Sequence, residues 1–191
     1  MRLGDLAMTD FVTILIALIT LIVTVSIPIQ IMKFQRYTNL MPIYSSFEFG
    51  HAFQSVINFF YDDCECDVDR IPEEYYRRFS ADFEALKNRK TDKENVLHYQ
   101  RRYLNNFFME IEFCRESSWI LRRLIRKDWT TSEAWVCKIL IYMNKAVDAN
   151  SDMFKDISSI KHDKMPRTEG MSIYLERLYN TMKAESRFMQ V

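Results

Sequence analysis

Residues 62–69, which read DDCECDVD, are the part of the chain whose residue types are best suited to binding a cation. They hold five carboxylates and two thiols, Cys64 and Cys66. Carboxylates suit hard ions and thiolates suit zinc. However, an EF-hand loop needs a turn glycine, which is missing here, and structural zinc usually takes ligand pairs at least two residues apart plus a second pair elsewhere. We therefore predict a solvated acidic loop with no metal or cofactor, and a cation site there stays the alternative.

The histidines of the chain give no sign of catalysis. His51, His98 and His162 fall on separate predicted elements, and none lies beside a Cys or Ser in a known nucleophile motif. HExxH, GxSxG, Walker and glycine-rich patterns are absent from the sequence. His98 shares a predicted helix face with Glu94 and Arg101, an arrangement that is routine on solvated helices. We therefore predict that the protein is not an enzyme and has no small-molecule substrate.

Two groups of basic residues could contact anionic lipid headgroups or a phosphate-bearing ligand. The first group follows an apolar N-terminal segment and consists of Lys33 and Arg36. The second group lies in the middle of the chain and consists of Arg122, Arg123, Arg126 and Lys127. Positive charge at a helix C-terminus is favourable by about 0.3–1 kcal/mol per residue, so complementation of the helix dipole also explains the second group.

Three tryptophans near the second basic group are candidate interface residues: Trp119, Trp129 and Trp135. Exposed Trp is enriched in protein interfaces. Across the whole sequence, Lys plus Arg and Asp plus Glu balance at 26 each, so no net positive field attracts nucleic acid. The expected partners are a membrane and either a protein or a second copy of the chain.

These groups are positioned by an apolar segment near the start of the chain. Residues 11–32 carry no charge, and a helix of this length covers the roughly 30 Å hydrocarbon core of a bilayer. A cleaved signal peptide is the competing interpretation, but its apolar region is typically only about 7–15 residues. We divide the chain into a leader (1–10), a transmembrane helix (11–32) and one soluble helical domain (33–191).

The orientation of the span follows from its flanking charges. Lys33 and Arg36 lie on its C-terminal side and Arg2 on its N-terminal side, so the positive-inside rule predicts a cytoplasmic C-terminal domain and an external N-terminus. This predicts a single-pass membrane protein. Pro28 removes a backbone donor and is expected to kink the helix or to mark its exit from the bilayer.

The rest of the chain is predicted to be helical because glycine and proline number only three and four, whereas sheet-rich domains need many turns. Pro42 is expected to start or bend a helix whose apolar residues are Phe49, Phe53, Val56, Ile57 and Phe60. Pro72 is expected to start the next helix, whose buried residues are Tyr76, Phe79, Phe83 and Leu86.

The longest predicted element runs from Thr91 to Asp128. Thr91 and Glu94 match a capping box at its start, and a seven-residue repeat follows through Leu97, Leu104, Ile111, Ser118 and Ile125, with a second line at Phe107, Cys114 and Leu121. A second helix is expected after Thr130 and Glu133, which repeat the capping pattern, and its apolar residues are Val136, Ile139, Leu140, Met143, Val147 and Phe154. We predict that the two helices form a long antiparallel hairpin, which is followed by a loop over 157–170 and a last helix from Met171 to about Phe188.

This arrangement resembles a prokaryotic family of single-span membrane proteins of unknown function. The resemblance lies in one apolar span with a basic exit, an aromatic helix, and the segments YLNNFFMEIEFC and WILRRLIRKDWTTSEAW. It implies a helical fold at a prokaryotic inner membrane and assigns no catalytic residue. Families of this kind often occur beside phage-defence genes, which is only an association.

Two functions from different classes are consistent with these features. In the first, the span holds a helical bundle at the inner face of the membrane, where the bundle acts by protein–protein interaction or scaffolding. In the second, the protein is a phage-defence or toxin effector whose span disrupts the bilayer. An enzyme that acts on a lipid or phosphate through the basic group is a distant third.

Overall fold

The computed structural model describes residues 3–129, 131–149 and 171–183. About 90% of the described residues are helical, and they contain no strand. The helices, in chain order, are α1 (Leu3–Tyr44), α2 (Phe47–Asn58), α3 (Ile71–Lys87), α4 (Leu97–Ser117), α5 (Trp119–Asp128), α6 (Thr131–Ala149) and α7 (Met171–Lys183). The predicted all-α class is therefore confirmed.

Helix α1 is longer than the predicted span at both ends. It contains 42 residues, and both Pro28 and Pro42 lie inside it, so Pro28 does not end the helix and the described part of the leader is helical. Thr24 Oγ1 donates to the Thr20 carbonyl at 2.7 Å, which satisfies a polar group that would otherwise face lipid. Within the described residues, Phe11–Tyr44 is the one stretch long and apolar enough to cross a membrane.

Helix α2 begins after a short break rather than at Pro42. Ser46 caps it, with its Oγ accepting from the Phe49 amide at 3.1 Å. The helix ends in a π-helical turn, Phe59–Asp63, and the chain then reverses through Glu65 and Cys66, which have positive φ angles of 52° and 64°. The predicted apolar residues of this helix face the core: Phe49, Val56 and Phe60 are buried, and Phe53 and Ile57 pack against them.

Helix α3 confirms the start predicted at Pro72 but buries a neighbouring face. Its fully buried residues are Ile71, Tyr75 and Phe79, whereas the predicted Tyr76 is half-buried. The predicted Phe83 and Leu86 are also only half-buried. The buried face therefore follows an i, i+4 line that begins at Ile71, one residue before the proline.

The predicted long helix from Thr91 to Asp128 is instead two helices. A 3₁₀ turn, Lys93–Asn95, precedes α4, and the Leu97 amide donates to Asp82 Oδ2 of α3 at 3.1 Å. The capping box at Thr91 and Glu94 is therefore wrong. The second break is at Ser118, where the backbone is extended (φ −150°, ψ 131°).

The soluble core is built where α2, α4, α6 and α7 meet. Helix α7 packs on α6 and α4, α3 packs on α6, and α2 packs on α4. The described apolar residues predicted for α6 are buried: Val136, Ile139, Leu140, Met143 and Val147. The last helix starts at Met171 as predicted and buries Leu175, Leu178 and Met182. Thr130, Phe154, the loop predicted over 157–170 and the end predicted near Phe188 lie outside the described residues.

Candidate membrane-proximal surface

The C-terminal part of α1 presents one face to the soluble domain at residues spaced alternately three and four apart. These residues are Gln30, Lys33, Tyr37, Leu40 and Tyr44, and we call them the docking seam. Tyr37 and Leu40 are buried, and Gln30 and Lys33 are half-buried. Every residue from 11 to 29 is exposed. This spacing is that of a paired-helix seam, so the environment of α1 changes at residue 30 without a break in the helix.

The docking seam pairs α1 with α4 in antiparallel orientation. Three polar contacts join the two helices in order: Ser118 Oγ to Gln30 Oε1 (3.0 Å), Lys33 Nζ to the Ser117 carbonyl (2.5 Å) and Arg36 Nε to Glu110 Oε2 (2.9 Å). Residue numbers rise along α1 as they fall along α4. The C-terminus of α4 therefore lies level with the end of the apolar segment of α1.

Lys33 and Arg36, predicted to contact lipid or phosphate, both bind α4. The Lys33 ammonium lies at a helix C-terminus, where positive charge is favourable and carbonyls lack helical partners. The Arg36 guanidinium forms an ion pair with Glu110 at 2.5 Å and lies 4.2 Å from the centroid of the Phe113 ring. Both side chains therefore hold the domain on α1, and their contact with lipid remains a prediction.

Helix α5 runs back along α4, away from the level of Gln30. Its start is held there by the Ser118 contact, whereas its end reaches Trp129, whose ring centroid is 5.3 Å from that of Tyr44 and 5.9 Å from that of Phe107. Gln30 and Tyr44 are separated by roughly 21 Å along α1 at 1.5 Å per residue. The reversal at Ser118 thus makes a helical hairpin of α4 and α5, and we call residues 117–120 the hairpin tip.

The basic group predicted near Lys127 lies on the outer face of α5. Leu121 and Ile125 are buried against the domain, and the four basic side chains are exposed: Arg122, Arg123, Arg126 and Lys127. At the hairpin tip, Trp119 and Ile120 are 70% and 42% exposed. An exposed Trp and Ile followed by cations make α5 a basic amphipathic helix whose start lies level with the end of the apolar segment of α1.

The three tryptophans predicted as interface residues are in three different environments. Trp119 lies at the hairpin tip. Trp129 is only 8% exposed and packs among Tyr44, Phe107 and Phe108, so its prediction as an interface residue is wrong, because the core encloses it. Trp135 is 38% exposed on α6.

Trp135 belongs to an exposed group of residues near the C-terminal end of α2. Its ring centroid is 6.0 Å from that of Phe60, which in turn is 5.9 Å from that of Tyr61. The Lys138 ammonium lies 4.8 Å from the Trp135 centroid, and Tyr61 is 60% exposed. We call Tyr61, Trp135 and Lys138, with Phe60 beneath them, the aromatic patch. Its aromatic side chains are of the kind enriched in protein interfaces, and the Lys138 ammonium makes a cation–π contact with one of them.

The acidic segment 62–69 is organised by arginines. Asp63 pairs with Arg77 and Arg78, and Glu65 with Arg70. Cys64 is buried, and burial with the nearby Asp63 and Glu74 carboxylates raises the pKa of its thiol to about 12, so in the absence of a metal it is a neutral thiol at neutral pH. The part of the chain that the structure describes contains no group of three His, Cys, Asp or Glu side chains that could hold a metal.

A buried polar cluster in α4 was not predicted from the sequence. His98 and Arg101 are 2% and 1% exposed, so the assignment of this face to a solvated surface is wrong. Tyr75 Oη lies 3.0 Å from His98 Nδ1, and Arg101 donates to Asn144 Oδ1. Burial, followed by the charges of Arg101 and Arg102, lowers the pKa of His98 to about 3. The sequence feature that could have revealed their burial is that His98 and Arg101 lie between Leu97 and Leu104 of the buried repeat.

The polar partners of Arg101 tie α4 to α6. Asn105 Nδ2 also donates to Asn144 Oδ1, at 2.8 Å. The Arg101 guanidinium lies 5.8 Å from the Tyr75 ring centroid, which joins α3 to the cluster. These groups bond to one another inside the core, although Arg101 Nε is buried without a hydrogen-bond partner, and their evident role is to fix how three helices pack.

Comparisons with protein-family models, curated proteins and solved structures gave no match to this chain. The resemblance to a family of unknown function therefore rests on its spacing pattern alone.

Proposed function

We propose that the protein is a single-pass membrane protein whose helical domain binds a protein partner next to the inner face of the membrane. The change along α1 at residue 30 carries this proposal. Before it, apolar side chains are exposed on every side of the helix, as lipid contact requires. After it, the same helix packs one face on α4, so the domain is held at the end of the span with no linker between them.

The continuity of α1 favours a retained span over a removed signal sequence. Signal peptides end at a small-residue cleavage site after a short apolar region, whereas α1 continues as helix from residue 29 into the docking seam. The positive side chains at the exit, Lys33 and Arg36, support an inner, cytoplasmic position for the domain.

The aromatic patch is the surface that best fits a protein partner. Tyr61 and Trp135 supply rigid apolar area, and Lys138 adds a charge that is held over the indole ring. The patch is exposed on α6 and on the turn after α2, whereas Trp129 and the docking seam are occupied by contacts within the chain. A heterologous protein or a second copy of this chain would both satisfy this chemistry.

Photo-cross-linking of the full chain in intact membranes tests the proposal. A photoreactive residue in place of Tyr61 or Trp135 should give a cross-linked species of higher mass. The matched control is Phe47, which is 82% exposed at the other end of α2 and roughly 20 Å away along the helix axis. Recovery of only the monomer from all three positions would contradict a protein partner at the patch.

A further inference from the structure

We infer that the hairpin tip and the first turns of α5 form a contact site for anionic lipid headgroups. This inference rests on the proposed function only in requiring that residues 11–32 span the bilayer. It adds a second point of attachment, in which Trp119 and Ile120 enter the membrane interface and Arg122 and Arg123 bind lipid phosphates.

The depth of the hairpin tip follows from its contacts with α1. Ser118 donates to Gln30, and Lys33 donates to the Ser117 carbonyl, so the tip lies level with the last turn of the apolar segment. This is the boundary between hydrocarbon and headgroups if residues 11–32 fill the roughly 30 Å core. Trp is favoured at this boundary because its ring is apolar and its N–H is polar. The exposed indole of Trp119 is therefore at the depth that suits it.

The height of each basic residue above that boundary can be read from the helix rise. Helix α5 climbs at about 1.5 Å per residue, so Arg122 and Arg123 lie about 6–8 Å above Ser118. The headgroup layer of one leaflet is about 5–7 Å thick, which brings these two guanidinium groups within reach of phosphate. Arg126 and Lys127 lie about 12–14 Å up, more than the roughly 8 Å over which physiological salt screens a charge.

Interaction with the helix dipole accounts for only half of the basic group. Arg126 and Lys127 occupy the last turn of α5, where positive charge is favourable. Arg122 and Arg123 lie in the first half of the helix, where the dipole gives no such benefit. The dipole therefore gives no reason for these two charges, whereas a negative membrane surface directly below them gives one.

The acidic side chains nearest the tip do not oppose this contact, because each already has a cationic partner. Glu110 binds Arg36, Glu112 binds Arg115, and Glu116 binds Arg177. Asp128, the one acidic residue in the sequence of α5, ends this helix, at the opposite end from the hairpin tip. The surface that faces the membrane beside α1 therefore carries a net positive charge.

Hydrogen exchange of the full chain in vesicles tests the inference. The chain is reconstituted in phosphatidylcholine alone or in an equal mixture of phosphatidylcholine and phosphatidylglycerol, and exchange is followed in a peptide covering 117–127. Each basic residue near an anionic surface contributes roughly fivefold, equivalent to about 1 kcal/mol. We therefore expect roughly 25-fold greater protection of this peptide in the anionic vesicles, diminishing as salt is added.

Two double variants on the same helix provide matched controls. R122Q/R123Q should remove most of the gain in protection, whereas R126Q/K127Q, which removes the same charge from higher on α5, should keep most of it. Unchanged exchange in peptides of α6 shows that each variant is folded. In vesicles whose acyl chains are brominated, the fluorescence of the original chain should be quenched more strongly than that of the W119F variant. The difference is the contribution of Trp119.

Several outcomes would overturn the inference. Equal protection in both kinds of vesicle, equal losses in the two double variants, or the same protection from inorganic phosphate added to neutral vesicles would each contradict a lipid site at the tip. Release of the chain by alkaline carbonate would instead contradict the span itself. Retention of the chain without any effect of lipid charge removes the tip contact and leaves the proposed function intact.

Discussion

The two halves of α1 differ in environment although they are one uninterrupted helix. Residues 11–29 expose apolar side chains in every direction, whereas the docking seam buries only residues at alternating spacings of three and four. Leucine and isoleucine occur in both halves, so residue type alone does not separate them. The arrangement of the apolar residues does separate them, because a helix that is apolar on all sides suits lipid, whereas a helix that is apolar on one side suits a protein neighbour. The difference shows that one uninterrupted helix can present an apolar surface on all sides over one half and a single buried face over the other.

This change without a linker has a mechanical consequence. Because the helix does not break between residue 29 and residue 30, a tilt or rotation of its apolar half turns the helical domain with it. The polar contacts of Gln30, Lys33 and Arg36 fix the rotation of α4 about α1. The aromatic patch and the hairpin tip are therefore held at set positions relative to the apolar half of α1.

The largest expected effect comes from a charge placed opposite the docking seam. Phe107 is 4% exposed and packs against Tyr44, Phe49 and Trp129. We expect Phe107→Asp to destabilise the soluble domain by more than about 4 kcal/mol, because a carboxylate buried there has no partner in the surrounding rings. Thermal unfolding followed by circular dichroism in detergent measures this loss.

The control for this variant is Phe113→Asp. Phe113 lies on the same helix but is 51% exposed and stacks under Arg36, so a carboxylate there remains hydrated beside a cation. Its unfolding midpoint should stay near that of the original chain. A Phe107→Asp chain with an unchanged midpoint would show that packing at the docking seam does not depend on this core.

A smaller effect separates the two halves of α1 directly. Leu40→Ala should lower the free energy of unfolding of the domain by about 2–4 kcal/mol, since it leaves a cavity in a buried contact. Leu21→Ala should change it by less than about 0.5 kcal/mol, because Leu21 is 62% exposed and touches no core. Denaturant unfolding of the two variants in the same detergent makes the comparison, and equal losses would mean that the halves share one environment.

The sequence was sufficient to predict the lower half of α1 but not the upper half. An uncharged apolar run of 22 residues has few interpretations, so composition alone predicts an exposed apolar helix over 11–32. Lys33 and Arg36 looked like headgroup ligands because nothing local shows that α4 supplies a carbonyl and a carboxylate to them. Pro42 looked like a helix start, yet it lies in the last turn of α1, where packing of Leu40 and Tyr44 outweighs the lost hydrogen bond.

The candidate site was predicted only in part, again because the sequence does not show which distant residues a helix contacts. The seven-residue repeat correctly marks Leu104, Ile111 and Ile125 as buried, but it continues in phase through Ser118, so it cannot reveal that the chain reverses there. The reversal depends on a distant partner, Gln30. The exposed basic face of α5 was visible in the sequence, whereas its position beside the end of the span required the fold.

The smallest effect separates the helical domain from the apolar half of α1 by its dependence on pH. Burial and the charges of Arg101 and Arg102 lower the pKa of His98 to about 3, against roughly 6.5 in an unfolded chain. Between these values the unfolded state binds one more proton than the folded state, so stability falls as pH falls below about 6.5, by up to about 1.4 kcal/mol for each pH unit. No titratable side chain lies between Asp10 and Lys33, so the lower half contributes no such dependence.

His98→Gln isolates this contribution from that of the other acidic and basic groups. Lowering the pH from 7 to 5 should destabilise the original domain by about 2 kcal/mol more than the variant, because only the original gains a proton at this position on unfolding. Denaturant unfolding at the two pH values measures the difference, whatever the variant loses at pH 7 through its altered contact with Tyr75. Parallel pH dependence of the two chains would mean that His98 becomes protonated inside the fold, which the neighbouring guanidinium of Arg101 opposes. Retention of both chains in the membrane fraction at pH 5 and pH 7 would then complete the contrast, since insertion of residues 11–32 depends on apolar area and not on charge.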